Sequence, residues 1–208
     1  MRFRLPGASA RRFADFLLLA VTLVELGLLF PLNPVFTIAE WIYLSQHLLV
    51  LRVALTRPAP TAQDHSLPSN AAIVVSYAYS YAQVAYLRWV PGGSAWPRAG
   101  FVLVVLGACL SIASLLTLGK WFGVRPALRG LVTTGPYRLV RHPMYLAYML
   151  ADTGYNFEEW NYGTVAMTLV GWLSLLYRIR AEERVLSQDD GWPSYRTVVR
   201  YRLLPGVW

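Results

Sequence analysis

Apolar residues in this chain come in long runs. They show neither the strict alternation of a half-buried strand nor the one-sided stripe of a soluble helix. Six runs stand out, at 13–30, 35–55, 71–90, 98–118, 143–155 and 160–186. A helix of about 20 residues crosses a hydrocarbon core of about 30 Å. Five of the runs predict full spans. The fifth, at 143–155, is short for a crossing and predicts a tilted helix or one ending inside the bilayer. The last is longer than a span requires, so its final turns should project. Polar or Pro/Gly-rich links separate the runs: Pro31-Leu32-Asn33-Pro34, the stretch 56–70 with Pro58, Pro60 and Pro68, Pro91-Gly92-Gly93, and a turn at 156–161 with Glu158 and Glu159. The pattern predicts an all-α polytopic membrane protein of about six helices. It forms one domain over 1–208, with N-terminal membrane helices at 13–118 and a motif-bearing region at 119–208.

Composition supports that reading. The chain has 208 residues, is 56% hydrophobic and has a mean hydropathy of +0.40, more apolar than a soluble domain of this size. The net charge of +8 sits in the connections between apolar runs. No basic helix or motif points to nucleic acid. With a cytoplasmic N-terminus and six crossings, 17 of the 19 Lys and Arg residues fall on the cytoplasmic side, a strong positive-inside bias. Both termini would then be cytoplasmic. Arg2, Arg4, Arg11 and Arg12 precede the first run as in a signal peptide, but no small-residue cleavage pattern follows it, so a retained helix is expected. Cys109 is the only cysteine, which excludes an internal disulfide and a multi-cysteine metal site.

The stretch from Gly135 to Tyr145, Gly-Pro-Tyr-Arg-Leu-Val-Arg-His-Pro-Met-Tyr, breaks the apolar pattern. Pro143 has a fixed φ and no N–H, so it suits the first position of a helix. It also pushes His142 out of helical geometry. His142 is therefore expected to end a loop, with free helix-start N–H groups beside it that suit an anion. The fifth helix begins and the sixth ends at one membrane face, and a short turn joins them. The two should pack as antiparallel neighbours, bringing His142 and Tyr145 to Glu182 and Glu183.

Plainer readings exist for each residue. A lone histidine at a loop–helix junction is commonly a cap or surface residue, and His47 and His65 are expected to be structural. Arg178 and Glu182 have the spacing of an ordinary i,i+4 pair, and Arg178, Arg180 and Arg184 that of snorkelling side chains. Tyr77, Tyr79, Tyr81 and Tyr86 read as packing residues. Asp152 lies in an apolar helix, where acids are usually paired or functional; it either lines a substrate cavity or is solvated near the outer end. Glu158 and Glu159 read as a solvated turn.

Leu131-Val132-Thr133-Thr134-Gly135-Pro136-Tyr137, then Arg141-His142-Pro143-Met144-Tyr145, then Glu182-Glu183, then Tyr195 and Tyr201-Arg202-Leu203-Leu204-Pro205 form an ordered set. It resembles the isoprenylcysteine carboxyl methyltransferase family, similar in turn to the phospholipid N-methyltransferases. The match runs from about 118 to 205. The resemblance implies S-adenosylmethionine as cofactor. It also implies a lipophilic acceptor entering from the bilayer: a carboxylate, as in prenylcysteine, or a thiol, amine or lipid headgroup. Leu131 and Val132 would line an adenosine pocket. Tyr137, His142, Pro143 and Tyr145 would contact the cofactor. Arg178 and Glu182 would face the reacting groups, and Glu182-Glu183 also matches a cofactor-binding pair of the phospholipid enzymes. Tyrosine faces suit a sulfonium by cation–π attraction. The chain departs from the family in Ala147, where many members have glycine, in Arg129-Gly130, which replaces a histidine-containing pair of the eukaryotic enzymes, and in a shorter linker before Leu131. These departures bear on the acceptor more than on the cofactor. The implied place is a bacterial inner membrane. Two rivals share the architecture: an NADPH-dependent reductase of sterol-reductase-like fold, and a membrane sensor that keeps the pocket without turnover.

Overall fold

A computed structural model describes residues 45–46, 48–53, 56–206 and 208. The predicted helix at 13–30, most of the one at 35–55, and His47 lie outside the described residues. Residues 48–53 are helical. The elements that follow are β1 (Ala62–Gln63), α1 (Leu67–Leu87), α2 (Pro97–Leu118), β2 (Ala127–Leu128), α3 (Pro143–Glu158), α4 (Tyr162–Leu186) and α5 (Trp192–Val198). Short 3-10 turns at Gly119–Trp121 and Gly135–Arg138 punctuate the basic loop between α2 and α3.

The helix boundaries have local causes. Ser66 caps α1, its hydroxyl accepting from the Ser69 N–H at 3.4 Å, and Pro68 occupies the first turn. The helix therefore starts before the expected position 71: Pro68 opens it instead of belonging to the loop. α3 begins at Pro143 with His142 non-helical at φ −128°, as proline geometry requires. It continues to Glu158, beyond the expected 155, with the last turn closed by the Glu159 N–H on the Tyr155 carbonyl at 2.8 Å. Sixteen residues give about 24 Å of helix, still less than a bilayer core. Asn161 caps α4 by accepting from the Gly163 N–H at 2.8 Å.

Two elements were not expected. β1 and β2 pair antiparallel, Ala62 opposite Leu128 and Gln63 opposite Ala127, so among the described residues the chain is helical with one small ladder. α5 is a seven-residue helix in the tail. Both are too short to carry a readable period.

The last two long helices meet as expected at the His142 and Glu182 ends, but mainly through side chains. α2 lies along α3 and α1 lies along α4, while the backbones of α3 and α4 are much less closely apposed. Glycines decide the pairing. A Cβ on Gly107 would sit 2.7 Å from the Ala147 carbonyl oxygen, and one on Gly171 would sit 2.7 Å from the Tyr79 ring. Small residues permit such approach between membrane helices. α3 and α4 meet through side chains, with Tyr145, Leu175, Ile179 and Leu203 in one buried cluster.

Asp152 is resolved by the same arrangement. Its Oδ2 accepts from the Tyr79 hydroxyl at 2.7 Å and the Trp172 indole N–H at 3.0 Å. The carboxylate ties α1, α3 and α4 together. Beside it, the Gln83 and Asn156 amides both donate to the Thr168 hydroxyl. Among the described residues, the helix Pro97–Trp121 is long and apolar enough to cross a membrane, and it is the one that is. Phe101, Val102 and Leu106 are exposed on it.

Replacing Gly107 by leucine should therefore force α2 from α3. Overpacking of this kind costs about 1–3 kcal/mol, so Gly107→Leu is expected to lower the melting temperature of detergent-purified protein by several degrees. Gly93→Ala, whose Cβ meets nothing within 4 Å, should melt with wild type. Equal melting of Gly107→Leu would show that the helices are not this close.

Candidate functional site

The basic loop is pinned at both ends. At its start, the ladder holds it against residues 61–64, with the Thr61 N–H donating to the Leu128 carbonyl at 2.8 Å and the Asp64 N–H to the Pro126 carbonyl at 3.0 Å. At its end, Gly135 adopts φ +54° and packs on Thr117, so the Gly-Pro-Tyr-Arg turn rests on the last turns of α2. Only glycine takes both the left-handed backbone and that contact at little cost. The turn buries Tyr137, whose carbonyl accepts from the Tyr195 hydroxyl at 2.8 Å.

The C-terminal tail then lies beside the loop. The Arg141 N–H donates to the Tyr201 carbonyl and the His142 N–H to the Arg202 carbonyl, each at 2.9 Å. Arg141 also donates from Nη1 to the Val199 and Arg200 carbonyls at 2.8 and 2.6 Å. Glu183 joins these segments. Its Oε1 accepts from Arg141 Nε at 2.9 Å and lies 3.3 Å from His142 Nε2; its Oε2 accepts from Arg202 Nε and Nη2 at 2.9 and 2.7 Å. Burial alone would raise this carboxyl's pKa. Hydrogen bonds from His142, Arg202 and Arg141 outweigh burial and hold it well below the carboxylate range.

One helix position earlier, Glu182 points elsewhere. Its Oε2 accepts from the Tyr145 hydroxyl at 2.9 Å, and the side chain lines a cavity. Seven of the nine expected site residues line that cavity: Leu131, Val132, Tyr137, His142, Tyr145, Arg178 and Glu182. Pro143 and Glu183 do not. Pro143 fixes the helix start and is fully buried. Glu183 has both oxygens engaged in the tie, so the geometry gives it a fastening part. Arg178 is buried, donating to Ser76 Oγ at 2.7 Å and the Val124 carbonyl at 3.0 Å. These bonds replace the i,i+4 pairing with Glu182. Its guanidinium also lies 5.5 Å from the Tyr145 ring centre, and its buried Nε has no partner.

Several further lining residues were not expected as site residues from the sequence. Tyr148 follows Tyr145 by three positions on the same helix face. Tyr77 comes from the tyrosine-rich helix read as packing. Arg125, Arg129 and Trp121 come from the basic loop, and Tyr195 from the tail. Burial raises the pKa of Tyr137 and of Tyr195, keeping both hydroxyls protonated. The donor set fits a ligand that is cationic at one point and anionic at another. Glu182 supplies a carboxylate, Tyr77, Tyr145 and Tyr148 supply ring faces, and Arg129 and Arg178 supply cations.

The sequence profile of the phospholipid methyltransferase family matches residues 96–189, which contain the loop, α3 and the Glu182-Glu183 pair. The chain is also similar to protein-S-isoprenylcysteine O-methyltransferase A of Arabidopsis thaliana, with 32% identity over 98 residues, 44% of this chain and 50% of the relative. A probable protein-S-isoprenylcysteine O-methyltransferase of Oryza sativa subsp. indica is 35% identical over 98 residues, 44% of this chain and 51% of the relative. The chain thus spans about half the length of these methyltransferase relatives. The solved structure of a eukaryotic intramembrane Ras methyltransferase, isoprenylcysteine carboxyl methyltransferase, shares the fold. It aligns with a TM-score of 0.53 at 20% identity, over 96% of this chain and 82% of that one.

The Glu183 tie yields a stability prediction. Breaking one partner of a buried ion pair costs about 3–5 kcal/mol, so Glu183→Gln should lower the melting temperature clearly at pH 7. The folded-state pKa lies below the ordinary value of 4.5. The stabilisation is therefore complete above about pH 4.5 and is lost as pH falls toward the folded-state value. The gap between wild type and Glu183→Gln should narrow in melting curves taken below about pH 4. A gap that is absent at pH 7, or that grows in acid, would contradict the tie.

Proposed function

We propose that this protein is an integral membrane methyltransferase that takes its methyl group from S-adenosylmethionine. The cavity between the basic loop, the start of α3 and the end of α4 is its cofactor site. The observation that carries this reading is convergence. Three sequence segments that resemble family motifs, 131–137, 141–145 and 178–182, line one cavity, and the chain's relatives are methyltransferases. We further propose that the cavity and both termini face the cytoplasm. The positive-inside distribution of Lys and Arg supports this.

The bound cofactor supplies a methyl group already activated on a sulfonium, so the protein has to align, desolvate and hold. Leu131 and Val132 offer an apolar wall for the adenosine. Tyr145 and Tyr148 offer ring faces to a cation. Glu182, oriented by the Tyr145 hydroxyl, holds the cationic amino-acid end or the ribose. Arg178, buried with a free Nε, faces the acceptor. A carboxylate acceptor would meet this guanidinium and need no base. An amine or thiol acceptor would give its proton to His142 or Glu182. The acceptor is a lipophilic molecule that reaches the cavity from the bilayer.

The test is transfer of labelled methyl from S-adenosylmethionine to prenylcysteine and to membrane lipid extract by detergent-purified protein. Transfer is expected, and Glu182→Gln should raise the KM for S-adenosylmethionine about tenfold, the worth of one lost charge-assisted hydrogen bond. Absence of transfer to every acceptor, with oxidation of NADPH instead, would overturn the reading in favour of a reductase.

A further inference from the structure

Four arginines line the cavity, Arg125, Arg129, Arg141 and Arg178, against one carboxylate, Glu182. Three of them already have work. Arg141 is spent on Glu183 and two tail carbonyls. Arg178 has both terminal nitrogens on Ser76 and Val124. Arg125 reaches the His65 ring at 3.3 Å. Arg129 differs. Its Nε donates to the Pro58 carbonyl at 3.3 Å, which fixes the base of the guanidinium. Among the described residues, no hydrogen bond engages its two terminal nitrogens. Gly123 leaves the space that the guanidinium fills: a Cβ there would collide with Arg129 Nη1.

This guanidinium is also short of compensation. Burial, and then the like charge of Arg57, lower its pKa to about 10, while Glu182 acts in the opposite sense. A desolvated guanidinium with a free, pre-oriented fork is matched by a carboxylate, which it can bind through two parallel hydrogen bonds. The amino-acid end of S-adenosylmethionine is a zwitterion, with carboxylate and ammonium on one carbon. Arg129 and Glu182 face the same cavity with the complementary pair of charges.

We propose that Arg129 is the carboxylate-binding residue of the cofactor site, gripping the amino-acid end of S-adenosylmethionine opposite Glu182. This assignment rests on the methyltransferase reading above. It adds which residue reads the carboxylate and why Gly123 stands beside it.

The experiment is a binding cycle on detergent-purified full-length protein. S-adenosylhomocysteine and decarboxylated S-adenosylhomocysteine, which lacks only the carboxylate, are titrated into wild type, Arg129→Gln and Arg129→Lys. Wild type should prefer the intact ligand at least about tenfold, as expected for a charge-assisted pair. Arg129→Gln should bind both ligands alike, within about twofold, because the carboxylate then meets no cation. Arg129→Lys keeps the charge but not the fork, so it should retain an intermediate preference; it also carries the test if the glutamine variant misfolds. A preference undiminished in Arg129→Gln would overturn the assignment, as would equal loss of both ligands in both variants. Wild-type protein that binds neither ligand would sink the methyltransferase reading and this assignment with it. Binding of the intact ligand without a carboxylate preference would sink the assignment alone.

Discussion

The structure depends on the carboxylate of Glu183. Three parts of the chain have to meet for a cavity to exist: the loop before α3, the projecting end of α4, and the tail. Glu183 is the point where all three are held, by Arg141 and His142 from the loop and Arg202 from the tail. The backbone of the loop and tail is zipped beside it. A buried carboxylate is costly unless its lone pairs are used, and here both oxygens are engaged by charged or ring donors. The tie also fixes the orientation of His142, because its Nε2 is held by Glu183 Oε1 at 3.3 Å. What looks from the motif like a pair of equivalent acids is one fastener and one cavity carboxylate.

Below that tie, α1 to α4 are built as two helix pairs. Glycines bring α2 against α3, and α1 against α4. In hydrocarbon there is little hydrophobic drive between helices, so close packing and interhelical hydrogen bonds have to supply cohesion. The Asp152 carboxylate, held by Tyr79 and Trp172, and the Thr168 hydroxyl, shared by Gln83 and Asn156, join the two pairs. These polar groups cannot turn to lipid, so they hold α3 and α4 in register although their backbones stay apart. The Glu183 tie and the cavity sit at one end of this framework.

Most of this was legible where proline or length decides. The helical runs at 71–90, 98–118 and 160–186 are recovered within a few residues, and the His142–Pro143 boundary follows from proline geometry. Pro68 was misread because a proline opening a helix and a proline in a loop look alike without the Ser66 cap. The partners of each helix were not legible, since they rest on single glycines such as Gly107 and Gly171 meeting particular neighbours. The divergent roles of Glu182 and Glu183 could have been anticipated. Successive helix residues point about 100° apart, and Glu182 lies one turn from Arg178 on the cavity side. Arg129 could not have been picked from five basic residues of one loop, because its distinction is a fork with no hydrogen bond among the described residues, in a space left by Gly123.

The central claim is that the basic loop, the start of α3 and the end of α4 enclose one cofactor. Backbone hydrogen exchange of the detergent-purified protein, with and without saturating S-adenosylhomocysteine, tests it most directly. The account predicts slowed exchange in two separate segments, the loop through the first turn of α3 and the last turns of α4 around Glu182, with the first half of α2 unchanged. Saturable binding with protection confined to other segments, or no protection at all, would contradict it.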